Sequence, residues 1–173
     1  IGGNHLIHAA RRNIDMTVVL YNNNIYGMTG GQYSPLTPEH SKAATAPYGT
    51  IERSFDIAEL VKAAGATFVA RATTFHAPML ADLIAQGIEH KGFSLIEAIT
   101  ACPISFGRQN KMGGPADMIK WQRDHALPLA AFEKLSEEQK AGKFPIGVLY
   151  KAEGVKEYTE AYDELIAAAQ GGK

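Results

Sequence analysis

Three consecutive asparagines and the glycine-rich turn behind them are the residues in this sequence best suited to chemistry. They lie in LYNNNIYGMTGGQ, residues 20–32, directly after the apolar run from Met16 to Leu20. An asparagine side-chain oxygen and the backbone carbonyl two residues further on can reach one cation together, and Mg²⁺ takes such oxygen ligands alongside the phosphates of a bound ligand. A threonine next to glycines can present amides and a hydroxyl to phosphate. Asparagine and glycine are also typical of a plain polar turn, so a purely structural role stays open.

The elements that must position this turn follow an alternating pattern of strands and helices. The predicted elements are strands over 13–22, 66–72 and 93–99, and helices over 2–12, 56–65, 75–90 and 115–125. Asp56 is expected to cap the second helix and Gly65 to end it. Strands that alternate with helices, mostly through short connections, predict an α/β fold with a doubly wound, mainly parallel sheet. Ligands of such sheets bind beyond the carboxyl ends of the strands, which is where the asparagine turn falls.

The rest of the chain divides into a long loop and a less distinctive tail. Residues 33–55 contain three prolines and little periodicity, and a loop of that length is usually functional or disordered. The tail predicts a polar helix over 131–141, an extended segment over 144–151 and an amphipathic helix over 155–169. We therefore expect a domain over residues 1–125 and a C-terminal extension over 126–173 that docks on another subunit.

Composition argues against several classes of protein. The chain has 173 residues, 46% of them apolar, which suits one globular domain with a core. A net charge of −1 argues against a nucleic-acid binder or a polybasic membrane anchor. No apolar run approaches the roughly 18 residues of a membrane helix. A single cysteine cannot form an internal disulfide, so a reducing cytoplasm is the expected location.

Two further candidate sites lie in the first predicted helix. The bare amides of Gly2 and Gly3 at its start could hold an anion, although glycine there would equally suit close packing. His5 and His8 lie about one turn apart, close to the spacing of metal-binding histidine pairs. No third ligand is near them in the sequence, so a zinc site is not expected.

Cys102 follows the third predicted strand, in TACPISFGRQNKMGGP. A lone cysteine at a strand end is most often a small buried apolar residue. A Cys-Pro pair is also a common setting for iron–sulfur ligation, because the proline ring restrains the chain beside the thiolate. One cysteine cannot assemble a cluster, so a free thiol is expected in this chain.

The first 35 residues, IGGNHLIHAARRNIDMTVVLYNNNIYGMTGGQYSP, closely resemble the thiamine-diphosphate site of the 2-oxoacid:ferredoxin oxidoreductase beta subunits. The segments DIAELVKAAGATFVAR, ACPISFGRQNKMG and MIKWQRDHA extend the resemblance over roughly residues 1–125. The GRQNKMG and MIKW segments are most similar to the 2-oxoglutarate branch of that family. The resemblance implies a sheet of the thiamine-diphosphate-binding (pyrophosphate domain) type.

The resemblance also implies roles for the residues of the asparagine turn. Asn23 would supply a side-chain ligand to Mg²⁺, and Ile25 would supply a backbone ligand. Thr29, Gly30 and Gln32 would line the pyrophosphate of thiamine diphosphate or the mouth of the substrate site. The asparagines on either side of Asn23 would orient the turn.

Residues outside the turn acquire roles in the same way. Gly2 and Gly3 would bind the cofactor, and His5 would face the cofactor or substrate pocket as a catalytic residue. An imidazole that merely touches solvent is the alternative for His5. Cys102 would be the fourth ligand of a [4Fe–4S] cluster whose other three cysteines lie in an N-terminal segment of the family.

The implied activity is the oxidative decarboxylation of a 2-oxoacid, with 2-oxoglutarate favoured. Coenzyme A would take the acyl group, the cluster would pass electrons to ferredoxin, and an alpha subunit would supply the glutamate that activates the aminopyrimidine ring. The family's Gly-Asp-Gly metal motif would fall a few residues before Ile1. We therefore expect the chain to be truncated at its N-terminus, and inactive without that segment, the other cluster cysteines and its partner.

Other interpretations stay open. The chain could belong to a beta subunit acting on pyruvate or a branched-chain 2-oxoacid. It could belong to a thiamine-diphosphate decarboxylase or synthase without iron–sulfur chemistry, which the iron content of the intact protein would reveal. It could also be a non-catalytic α/β module whose asparagine turn is only structural, in which case neither Mg²⁺ nor thiamine diphosphate would bind.

Overall fold

A computed structural model describes residues 2–171 and shows an α/β fold built around a five-stranded sheet. Ile1, Gly172 and Lys173 lie outside the described residues. The helices are α1 (Gly3–Arg11), α2 (Ile57–Ala64), α3 (Ala77–Glu89), α4 (Pro115–His125), α5 (Leu129–Phe132), α6 (Glu137–Lys140) and α7 (Tyr158–Gly171). The strands are β1 (Met16–Asn22), β2 (Ile25–Tyr26), β3 (Gln32–Tyr33), β4 (Phe68–Thr73), β5 (Phe93–Ile99), β6 (Ala126–Pro128) and β7 (Phe144–Lys151).

The sheet is mainly parallel, as the sequence predicts. Its strand order is β1-β5-β4-β7-β6. The β1–β5, β5–β4 and β7–β6 pairs are parallel, and β7 runs antiparallel to β4. Strands β2 and β3 form a separate antiparallel hairpin within the turn that follows β1. The carboxyl ends of β1, β5 and β4 therefore meet at one edge, and the asparagine turn lies at that edge.

Helices cover both faces of the central strands, which confirms the predicted doubly wound class. On one face, Ala10 of α1 and Val61 of α2 pack with Leu95 and other buried side chains of the sheet. On the other face, Leu83 of α3 packs with Ile96. Strands covered on both faces read as continuous apolar runs. Every residue of β4 is accordingly buried, as is every residue of β5 except the last.

The predicted ends of α2 are confirmed. The Asp56 side chain accepts hydrogen bonds from the amides of Ala58 and Glu59 and so caps the helix. Gly65 ends the helix in the left-handed region at φ 112°, and a Cβ there would lie 3.3 Å from the carbonyl oxygen of Ala10. Glycine is required here because it alone suits both the backbone angle and the close approach of α1.

The tail contributes to the sheet. Strands β6 and β7 lie within residues 126–173 and extend the same sheet, so this segment packs with the domain that precedes it. The prediction of one polar helix over 131–141 is wrong, because Ser136 starts a second helix. Its hydroxyl accepts from the Gln139 amide, and the Gln139 side chain accepts from the Ser136 amide. This capping box is visible in the sequence. The boundary at residue 125 and the docking role stay predictions.

The last helix, α7, is exposed along its length. Within residues 2–171, no helix is both long enough and apolar enough to span a bilayer.

A hydrogen-bonded cluster ties the strands together at the edge opposite the asparagine turn. The Thr67 hydroxyl lies 2.8 Å from Nε2 of His90 and donates to Oδ1 of Asn13 at 2.8 Å. The same Asn13 oxygen accepts from the amide of Phe93 at 2.8 Å. This cluster joins the residues that precede β1, β4 and β5, and so aligns the three parallel strands.

The His90 cluster predicts a loss of stability in mild acid. Burial lowers the pKa of His90, and the nearby Lys151 ammonium lowers it further, against a smaller opposing effect of Asp15. The folded state therefore binds its proton at lower pH than the unfolded chain, whose histidines titrate at about pH 6.5. The stabilisation is complete above that pH and is lost as pH falls through the folded pKa. Urea unfolding between pH 8 and 5 measures this loss. His90 alone should change the free energy of unfolding by less than about 1.4 kcal/mol per pH unit.

Replacing His90 by Gln removes this titration. The free energy of unfolding of His90→Gln should decline less steeply with falling pH than that of the unmodified protein. A residual decline is expected, because burial also lowers the pKa of His76. Parallel curves for the two proteins would contradict the prediction.

Candidate functional site

The candidate site is a cavity of about 500 Å³ at the carboxyl end of β1. One wall is the start of α1, with Gly2 and Gly3, and the opposite wall is the asparagine turn. Ser34, Pro35, Leu36 and Phe55 of the long loop and Ile57 of α2 complete the lining. The two ends of the loop over residues 33–55 therefore lie at the site, and the loop contains no helix. The site has the position that ligands take in open α/β sheets.

Two side-chain hydrogen bonds shape the asparagine turn. Oδ1 of Asn22 accepts from the amide of Asn24 at 3.0 Å, and Oδ1 of Asn23 accepts from the amide of Ile25 at 3.1 Å. Asn24 has φ 65°, a left-handed conformation that asparagine tolerates better than most residues. An amide oxygen has two lone pairs, so Asn23 retains acceptor capacity. The side chain of Asn23 and the backbone of Ile25, predicted as joint ligands, therefore lie directly beside each other.

Thr29, Gly30 and Gln32 lie on the hairpin beyond this turn and outside the cavity wall. The Thr29 hydroxyl donates to Oε1 of Gln32, so the two side chains are paired. The chain reverses through Gly30 and Gly31 at φ 104° and 93°. The hairpin brings Thr29 and Gln32 together, and their role in phosphate binding stays a prediction.

Gly2 and Gly3 line the cavity, where the sequence left two explanations for them. A Cβ at either position would meet no atom within 4 Å, so close packing does not account for the glycines. Gly2 is the N-cap residue of α1 and has φ 96°. As a glycine, it has no side chain that could accept a hydrogen bond from the first amides of the helix. The first amides of α1 are therefore available to a ligand in the cavity, as the anion-binding interpretation requires.

His5 lies on the first turn of α1 but is exposed and does not contribute to the cavity wall. Its catalytic role stays a prediction from the resemblance. His8 is exposed one turn later. Among residues 2–171, no group of three or more His, Cys, Asp or Glu side chains is arranged to hold a metal ion. Within these residues, the oxygens nearest to hand for a cation in this site are the amide and carbonyl oxygens of the turn.

Cys102 contacts the asparagine turn from the neighbouring strand. Its thiol is free and partly buried, as expected for a lone cysteine. Sγ lies 3.2 Å from the position that a Cβ would take at Gly27, and Nδ2 of Asn23 lies 3.9 Å from that position. The amide of Gly107 closes a π-helical turn onto the Cys102 carbonyl at 2.9 Å. Gly27 thus leaves room for the thiol, and β5 brings Cys102 to the turn that follows β1.

A charged network behind the turn, buried at Arg71 and Glu97, was not predicted from the sequence. Nε of Arg71 donates to Oε2 of Glu97 at 2.6 Å, and Nη2 of Arg71 donates to Oδ1 of Asp56 at 3.0 Å. Nδ2 of Asn22 donates to Oε1 of Glu97 at 2.8 Å. Arg71 is 7% exposed and Glu97 3%. The signal was available, because both charges interrupt strands that are otherwise apolar, FVARAT and FSLIEAI.

The network keeps Arg71 charged. Burial by itself lowers the pKa of Arg71, but the carboxylates of Glu97 and Asp56 outweigh burial and the net direction is upward. A buried cation between two carboxylates is compensated, whereas removal of one partner would leave an unpaired buried charge. A second cavity, of about 320 Å³, is lined in part by Arg71, Glu97, Asp56 and Asn22.

Comparison with known families identifies the fold around this site. Residues 1–98 match the family described as "Thiamine pyrophosphate enzyme, C-terminal TPP binding domain". The chain belongs to this family of thiamine pyrophosphate enzymes. The match spans α1, the end of β1, the asparagine turn, the long loop and α2, which line the cavity, together with β4 and most of β5.

Individual relatives narrow the comparison to one kind of enzyme subunit. The chain is 54% identical over 147 residues to the 2-oxoglutarate synthase subunit KorB of Methanothermobacter thermautotrophicus, covering 85% of this chain and 51% of that protein. It is 49% identical over 166 residues to the corresponding subunit of Methanocaldococcus jannaschii, covering 96% of this chain and 61% of that protein. The chain thus spans roughly half to three-fifths of the length of these relatives.

A solved structure agrees with both findings. The 2-oxoglutarate:ferredoxin oxidoreductase from Magnetococcus marinus, with 2-oxoglutarate, coenzyme A and succinyl-CoA bound, superposes with a TM-score of 0.80 at 32% identity. The match covers 99% of this chain and 58% of that chain. These similarities confirm the resemblance to 2-oxoacid:ferredoxin oxidoreductase beta subunits of the 2-oxoglutarate branch.

Proposed function

We propose that this chain is part of the beta subunit of a cytoplasmic 2-oxoglutarate:ferredoxin oxidoreductase. The observation that carries the proposal is the cavity lined by the asparagine turn and by Gly2 and Gly3, whose amides donate no hydrogen bond within residues 2–171. It occurs in a chain 54% identical to a 2-oxoglutarate synthase subunit. The turn offers oxygens to a cation and the helix start offers donors to phosphates, which is the pairing that a Mg²⁺–diphosphate cofactor needs.

Mg²⁺ would be held by Oδ1 of Asn23 and the carbonyl of Ile25. Both are neutral oxygen donors, and Mg²⁺ commonly combines a few protein oxygens with water and the phosphates of its ligand. The hydrogen bond between the Asn23 side chain and the Ile25 amide supports this assignment, because it fixes Oδ1 of Asn23 against the backbone of Ile25.

The pyrophosphate of thiamine diphosphate would be held by the amides of Gly2 and Gly3. Backbone donors at a helix start favour anions through both hydrogen bonds and the helix dipole. Thr29, Gly30 and Gln32 would add donors from the hairpin, and the Thr29 hydroxyl would then exchange Gln32 for phosphate. His5, exposed on the first turn of α1, would face the substrate. Bound thiamine diphosphate would supply the carbanion that attacks the keto carbon.

Cys102 would be one ligand of a [4Fe–4S] cluster in the intact protein. Its thiol lies against Gly27 of the asparagine turn, so a cluster held there would adjoin the cofactor turn. That proximity supports a direct path for electrons from the cofactor to the cluster and on to ferredoxin. The other three ligands would come from cysteines outside this chain, which contains one.

The partner subunit would cover the exposed apolar side chains around the turn. Large apolar side chains exposed together are typical of interaction surfaces. Strongly exposed ones in the asparagine turn and the long loop are Tyr21 at 75%, Met28 at 102%, Tyr48 at 99% and Ile51 at 86%. An alpha subunit seated there would close the cavity and contribute the glutamate that the aminopyrimidine ring requires. Coenzyme A would take the acyl group.

Turnover of the intact complex with two substrates tests the proposal. With coenzyme A and oxidised ferredoxin present, we expect kcat/KM for 2-oxoglutarate to exceed that for pyruvate at least about tenfold, equivalent to about 1.4 kcal/mol in transition-state binding. Ferredoxin reduction is followed optically, and omission of coenzyme A is the control. A preference for pyruvate would refute the assignment of 2-oxoglutarate as the substrate. Decarboxylation without ferredoxin reduction, in a complex lacking iron, would refute the redox activity.

A further inference from the structure

The Asn22 side chain links the cofactor turn to the buried Arg71–Glu97 pair. Glu97 lies directly opposite Arg71 in the β4–β5 register and opposite Leu20 in the β5–β1 register. Asn22 is two residues beyond Leu20 and so lies on the same face of β1 as Leu20. One polar path therefore crosses three neighbouring strands and ends in the turn.

Glu97 decides which way the Asn22 amide points. A carboxylate only accepts hydrogen bonds, so the NH₂ group of Asn22 must face Oε1 of Glu97. The Asn22 oxygen is thereby directed at the amide of Asn24, which it binds at 3.0 Å. Arg71 holds the carboxylate from its other side at 2.6 Å. Because Glu97 is 3% exposed, water offers little competition for these bonds.

We propose that Glu97 is a positioning residue for the cation-binding turn, acting through Asn22 on the backbone that carries Asn23 and Ile25. This inference rests on the proposed function of the turn as the Mg²⁺–thiamine diphosphate site. Glu97 itself does not touch the cofactor in this scheme. Its carboxylate orients the Asn22 amide, and that amide fixes the turn in its ligand-presenting conformation, as groups behind metal ligands commonly do.

Exchanging the two side chains across this contact tests the assignment. In Glu97→Gln, the NH₂ group of the introduced amide must oppose a donor of either Asn22 or Arg71. In Asn22→Asp, two carboxylates face each other. In the double variant, the introduced amide can donate to the introduced carboxylate while its oxygen accepts from Arg71, so the polarity of the path is restored. The second oxygen of the introduced carboxylate can still accept from the Asn24 amide.

The measurement is the affinity of the intact complex for thiamine diphosphate with Mg²⁺, by calorimetry, together with thermal unfolding of the cofactor-free protein. We expect each single variant to bind about 10- to 100-fold more weakly. The double variant is expected to recover most of that loss. Asn22→Ala keeps the Arg71–Glu97 pair, so it avoids an unpaired buried charge and should lose affinity to a similar degree.

Thr67→Val is the matched control for general destabilisation. It removes a buried hydroxyl at the opposite edge of the same sheet, and should lower the unfolding temperature while leaving cofactor affinity unchanged. Wild-type affinity in Asn22→Ala, no recovery in the double variant, or an equal loss in Thr67→Val would each overturn the positioning role. Failure of the unmodified complex to bind thiamine diphosphate at all would overturn the proposed function, and this inference with it.

Discussion

Replacing Asn23 by alanine is expected to weaken Mg²⁺-dependent binding of thiamine diphosphate by about 100-fold or more. Loss of a group behind a metal ligand typically costs about 10- to 100-fold in metal affinity, so loss of a direct ligand should reach at least the upper end of that range. The variant also loses the hydrogen bond to the Ile25 amide, which shapes the turn. Calorimetric titration of the intact complex, with Mg²⁺ in excess, measures the change.

Asn24→Gly is the matched control for Asn23→Ala. It removes the neighbouring amide side chain but suits φ 65°, and the backbone groups of residue 24 that bind Asn22 and Thr37 are retained. We expect near wild-type affinity, because residue 24 holds the turn through these backbone groups, which glycine retains. A loss in Asn24→Gly comparable to that in Asn23→Ala would show that the turn conformation, and not an Asn23 ligand, determines binding. Unchanged affinity in Asn23→Ala would exclude it as a ligand.

Replacing Gly92 by alanine is expected to destabilise the fold by about 2–6 kcal/mol. Residue 92 has φ 118°, where an L residue is strained, and such strain costs about 1–3 kcal/mol. A Cβ there would also lie 2.4 Å from Oδ1 of Asn13 and 2.7 Å from Oγ1 of Thr67, and such overpacking costs about 1–3 kcal/mol more. These atoms join the residues that precede β1, β4 and β5, so the change lowers the stability of the whole sheet. Urea unfolding measures it.

Gly147→Ala separates strain from overpacking. Gly147 in β7 has φ 110°, close to that of Gly92, but a Cβ there would meet nothing within 4 Å. We expect Gly147→Ala to cost only the strain, about 1–3 kcal/mol. Equal destabilisation by the two substitutions would show that contact with the Asn13 cluster is unimportant.

Local features of the fold could be predicted because their causes are local. The helix α2 begins at Asp56 and ends at Gly65 as expected, since capping depends on neighbouring residues. The predicted strand over 93–99 is confirmed residue for residue. The single helix expected over 131–141 was wrong for an equally local reason, the unrecognised capping box at Ser136.

The geometry of the site could be predicted from the sequence only in part. Asn23 and Ile25 are close in sequence, so their proximity followed from the turn itself. The contact of Cys102 with Gly27 joins residues that follow two different strands, and no spacing reveals it. The open space around Gly2 and Gly3, which argues against close packing there, was likewise visible only in the tertiary structure, and their binding of the cofactor stays a prediction.

The sequence by itself determined the class of the fold, the asparagine turn at the end of a buried strand and the resemblance that suggests its cofactor. These depend on apolar periodicity, turn residues and motifs that operate over short stretches. Only the tertiary structure decided that Arg71 lies opposite Glu97 and that Glu97 reaches Asn22. The reason is strand register: a shift of one residue would send each side chain to the other face of the sheet, and register is set by packing between strands distant in the chain.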